Sequence, residues 1–68
     1  MGQSMKLSDR LDTIHYRSTL ISEMYECNLQ DEDAPSLSAV RERCYAAAVK
    51  AAHQWSAEEL ADWYHHHR

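Results

Sequence analysis

Five histidines and two cysteines are the residues whose types could do chemistry in this 68-residue chain, and zinc is the chemistry they suggest, since imidazole and thiolate are its usual ligands. Their spacing argues against it. Cys44 and His53 are nine residues apart, which puts them on opposite sides of a helix, and His65, His66 and His67 point in successive directions if helical. No CxxC, HxxxH or HExxH pattern occurs. The sequence therefore predicts no metal, no cofactor and two reduced thiols packed as small hydrophobes. In a hairpin, Cys44 would lie about 7 Å further along than Cys27, too far out of level for a bridge.

Catalysis has equally little to build on. The chain has a single glycine, so a phosphate-cradling loop is missing, and no nucleophile motif surrounds a serine or cysteine. His15 or His53 would need a carboxylate brought from another helix. The expectation is a protein that is not an enzyme.

Charge narrows the partners. A net charge of -4 and a pI near 5.6 disfavour a nucleic-acid binder, and the last helical segment carries Glu58, Glu59 and Asp62, which phosphates would repel. The longest apolar run is Cys44 to Val49, far short of the ~20 residues a bilayer span needs, and the N-terminus lacks the apolar core of a signal peptide. These features predict a cytoplasmic protein that engages neither nucleic acid nor membrane.

The elements that position these side chains read as helices. Ser36 to Trp55 is the longest segment with one clear stripe, Leu37, Val40, Cys44, Ala47, Ala48, Ala51 and Trp55 recurring every three or four residues. Its middle is small, so a neighbour can approach closely, and the rest of the chain is expected to pack on it. The acidic stretch QDEDAP, with Pro35, ends the preceding helix and should turn the chain back on itself. Arg41 and Arg43, at an end the helix dipole makes unfavourable for cations, are compensated by the neighbouring acids or used by a partner.

Before the turn, a helix over about 9–29 starts with Ser8 as its cap. It carries two apolar stripes. Leu7, Leu11, Ile14, Ile21 and Tyr25, with Ser18 at the same spacing, make the cleaner one, and its bulky residues complement the alanine-rich partner. Tyr16, Leu20, Met24 and Cys27 lie about a third of a turn or more round, with Arg17 between the stripes, and one partner helix cannot cover both.

After Trp55, Ser56 and Glu59 match the S-x-x-E capping box, with Trp55 and Leu60 placed for a hydrophobic staple. A third helix, 57–66, therefore starts at Ala57 at an angle to the second, which occupies 36–55. Residues 1–6 show no periodicity and are expected to be disordered. The chain reads as one small all-α domain of 1–68, an antiparallel helical hairpin plus a short third helix.

Such a chain buries only roughly 60% of the surface its unfolded form exposes, and small domains of this kind need a staple. The surplus stripe predicts a homodimer or a docked protein partner. Every aromatic is Trp or Tyr, each with a polar handle suited to interfaces. Tyr16, Arg17, Leu20, Met24, Arg41, Tyr45, Trp63 and Tyr64 are the expected partner-binding residues. Leu11, Ile14, Ile21, Tyr25, Leu37, Val40, Cys44, Ala47, Ala48, Ala51, Trp55 and Leu60 are the expected core. The function that follows is a regulator acting as an inhibitor or anti-activator of a transcription factor or enzyme. The alternatives are a self-assembling helical subunit and a nucleic-acid-binding regulator.

Overall fold

In the computed structural model the backbone is described for residues 7–66 and the side chains for residues 10–66. Residues 1–6, expected to be disordered, and His67, in the terminal histidine run, lie outside the described residues. The described chain is all-helical, α1 (Leu7–Gln30), α2 (Ser38–Ala52) and α3 (Ala57–His66), with no strand.

α1 starts at Leu7, so Ser8 is inside the helix rather than its cap, and the side chains of Leu7 and Ser8 are not among those described. Beyond Gln30 the chain turns twice. Glu32 N–H donates to the Leu29 carbonyl at 3.1 Å and Leu37 N–H to the Ala34 carbonyl at 3.2 Å. The second turn delays α2 relative to the expected start at Ser36. Leu37 is its N-cap, with extended backbone (φ -71°, ψ 135°) and no side-chain cap, and its carbonyl accepts the first helical bond from Arg41 N–H at 3.0 Å.

α2 also stops three residues short of Trp55. Gln54 N–H bonds the Ala51 carbonyl and Trp55 N–H the Ala52 carbonyl, both at 3.2 Å, a tightening to three-residue spacing that ends the helix. α3 then opens with a closed capping box. Ser56 N–H donates to Glu59 Oε1 at 2.8 Å, and Glu59 N–H donates to Ser56 Oγ at 3.1 Å.

The helix that organises the fold is α1, not the segment 36–55, because α2 and α3 both pack on it. Side-chain bonds set the direction of α2 along α1. Late in α1, Asn28 Nδ2 donates to the carbonyl of Cys44, early in α2, at 3.1 Å. In the first half of α1, Arg17 reaches the last residue of α2, so the two run antiparallel. The small residues of α2 allow this approach, with Ala48 and Ala52 fully buried.

The core is Leu20, Ala52 and Leu60, with Tyr16, Ile21, Met24, Trp55 and Trp63 packed around it. Cys44 is buried nearer the α1–α2 turn. This changes the expected roles of Leu20, Leu11 and Ile14, while Ile21 still packs against the core. Leu20, assigned to a partner surface, is 4% exposed and sits in the core. Leu11 and Ile14, assigned to the core, are 57% and 62% exposed. The reason is length: α2 ends opposite Arg17, and nothing in it continues alongside the turn of α1 that carries Leu11 and Ile14.

Two further core assignments fail. Leu37 is exposed because it precedes α2 as its cap, and Ala47 is exposed on the edge of a groove. Ile21, Tyr25, Val40, Ala51 and Trp55 are half-buried. Elongation accompanies this incomplete burial. The radius of gyration is 14.2 Å, against about 11 Å for a compact domain of this length.

Candidate interaction surface

The exposed apolar residues of α1 lead into a groove on the face it shares with α2. Leu11 and Ile14 are three residues apart and so adjacent on one helical face. Ile14, Ser18 and Ile21 form one wall of the groove and Tyr45 with His53 the other, around a volume of about 290 Å³. Tyr45 is 53% exposed, which makes the groove and its approach the site of three of the large exposed hydrophobic side chains.

Polar groups are fixed at each end. Arg17, on the groove lining, turns its guanidinium toward the end of α2, where Nε donates to the Ala52 carbonyl at 3.3 Å and Nη2 to the Trp55 carbonyl at 2.9 Å. A cation there satisfies carbonyls that the helix leaves open and complements the negative end of its dipole. At the other end, the rings of Tyr25 and Tyr45 meet edge-on at 5.8 Å, and Arg41 Nε donates to the Tyr25 hydroxyl at 3.1 Å. That hydrogen bond, with the charge interaction it brings, raises the pKa of an arginine already charged at neutral pH.

The other expected partner-binding residues fall elsewhere. Tyr16 and Tyr64 stack at 4.3 Å, and His15 Nε2 lies 3.2 Å from the Tyr64 hydroxyl, so these rings join α3 to α1. Trp63 packs edge-on to Trp55 at 6.4 Å and against the core with Met24. Tyr16, Leu20, Met24 and Trp63 thus hold the chain together, while Arg41 and Tyr45 remain on the open face with Arg17. The residues missed as surface are Leu11 and Ile14, while Ile21 is half-buried at the groove wall and packs against the core. The three-residue spacing of Leu11 and Ile14 is plain in the sequence, and they are expected in the core because their bulk complements the alanine-rich middle of the second helix.

A second groove, of about 500 Å³, lies on the other side of α1, between Met24 and Cys27 on one wall and Ala47, Ala51 and Trp63 on the other. In the α1–α2 turn, the acids compensate Arg43 as anticipated, with Nη2 2.6 Å from Glu32 Oε1. Such an exposed pair contributes about 0–1 kcal/mol.

Among the described residues no three His, Cys, Asp or Glu side chains group to hold a metal ion, and no helix is long and apolar enough to cross a membrane. Cys27 is an exposed free thiol and Cys44 a buried one. No family model, curated protein or solved structure matches the chain.

Proposed function

We propose that this chain is a small, non-catalytic protein-interaction module of the cytosol, a regulator that acts by occupying the surface of another protein. The observation that carries the reading is the apolar strip from Leu11 through Ile14 to Tyr45. Side chains of this size left open in register, on a domain too small to waste apolar burial, are what a docking surface requires. Inhibition or anti-activation of a transcription factor or enzyme is the form of regulation that fits a binder of this size.

Self-assembly is the second reading, a homodimer or larger helical assembly in which copies cover one another's strips. The exposure of Leu11 and Ile14 on one side of α1 supports it, because a second copy could cover them.

Affinity capture with the wild-type chain and with a Leu11→Lys, Ile14→Lys double variant tests the first reading. Both positions are solvent-exposed, so the variant should keep its helical circular dichroism. A partner recovered by the wild type and lost from the variant supports the regulator. A partner recovered equally by both, or recovery of nothing except the chain itself, overturns it.

A further inference from the structure

We infer that the groove between α1 and α2 receives an amphipathic helix of another protein whose apolar stripe is flanked by acidic side chains. The inference rests on the docking role proposed above and adds the chemistry of the partner. A chain of net charge -4 has here a local reversal of sign. No carboxylate lines the groove, whereas Arg17 lines one part of it and Arg41 stands at the Tyr25–Tyr45 end.

Arg17 donates two of its N–H groups to the end of α2, and a guanidinium has five, so donors remain for a carboxylate from outside. The hydroxyls of Ser18 and Ser22 add neutral hydrogen-bonding groups among the aliphatic ones. Ile14, Ile21 and Tyr45 supply the apolar floor for residues at helical spacing, the usual form of helix-in-groove recognition.

The same charges disfavour a second copy as occupant. A twofold interface uses one patch on both subunits, so it would bring Arg17 and Arg41 from both copies into one contact that no carboxylate lines. Rim charges of opposite sign steer and select a partner, and like charges exclude one. The larger groove beside Trp63 has no comparable cationic pair, so it makes no such choice.

The test uses the whole chain labelled with ¹⁵N and three synthetic helical peptides sharing one leucine stripe, flanked by Glu, Gln or Lys. The Glu peptide should shift the amides of Ile14, Ser18, Ile21 and Tyr45, bind about tenfold tighter than the Lys peptide, and weaken in high salt. Arg41→Glu, which removes only an exposed hydrogen bond, should narrow or reverse that order. If the Lys peptide binds the same residues as tightly, the acidic partner is wrong and the docking face stands. If no peptide moves those amides, both fall. Shifts of the groove amides with protein concentration alone would overturn the inference in favour of a second copy.

Discussion

The Arg17 guanidinium donates to the Trp55 carbonyl at 2.9 Å, across a sequence separation of 38 residues, and this bond ties the first half of α1 to the link between α2 and α3. With its companion to the Ala52 carbonyl it closes the C-terminus of α2 from the side of α1. Trp55 is then held one residue ahead of the Ser56 cap, against Leu60 in the core.

Removing that side chain should therefore loosen two helices at once. Hydrogen bonds to a charged group contribute about 1.5–3 kcal/mol each in favourable cases, and Arg17 is only partly buried, so Arg17→Ala should cost about 1–3 kcal/mol. Arg17→Lys should recover less than half of the loss, because an ammonium cannot span two carbonyls as the planar fork does. Urea unfolding followed by tryptophan fluorescence measures both. An Arg17→Ala midpoint equal to wild type would show that the cap contributes nothing.

Leu20 and Ile14 give the sharpest contrast between the two stripes of α1. Leu20→Ala opens a cavity beside Ala52 and Leu60 and should cost about 2–5 kcal/mol, enough to unfold much of so small a chain. Ile14→Ala, at a position 62% exposed, should stay within about 0.5 kcal/mol. Thermal melts of the two variants side by side decide it. Equal losses would mean that Ile14 is covered in solution.

That contrast also locates what could be read from the sequence. The start of α3 was legible because its cause is local: Ser56 and Glu59 bond each other's backbone within one turn. Both stripes of α1 were legible as stripes for the same reason. Which one faces inward was not, because it depends on where α2 stops. That stop involves Arg17, 35 residues away from Ala52, and no local pattern records it. The proposed docking face shifts by the same step, from the stripe of Leu20 to Leu11 and Ile14. Tyr45 and Arg41, at the open edge of the seam beside Tyr25, are legible as exposed without that knowledge.

The two thiols should report on the fold directly. Cys27 is exposed, whereas Cys44 is buried with its Sγ 3.9 Å from Glu32 Oε2. A maleimide or aromatic disulfide reagent should modify Cys27 rapidly in the native protein and Cys44 only on unfolding. Mass spectrometry of the labelled chain would show a single adduct under native conditions and two in denaturant. Rapid native labelling of both would mean that the turn end of the α1–α2 pair opens readily.

Self-association should depend on salt in a sense set by the groove. If copies meet through the face that carries Arg17 and Arg41, like charges oppose the contact, and screening them strengthens it. The expected behaviour is a monomer at both ionic strengths, and association through Leu11, Ile14 and Tyr45 that rises as salt is added would place a second copy in the groove. Light scattering on a size column at two ionic strengths and several protein concentrations measures this. A dimer that is tightest at low salt would require acids to meet these arginines. One supply is the Glu58, Glu59 and Asp62 face of α3 in another copy, which would make the contact head-to-tail rather than twofold.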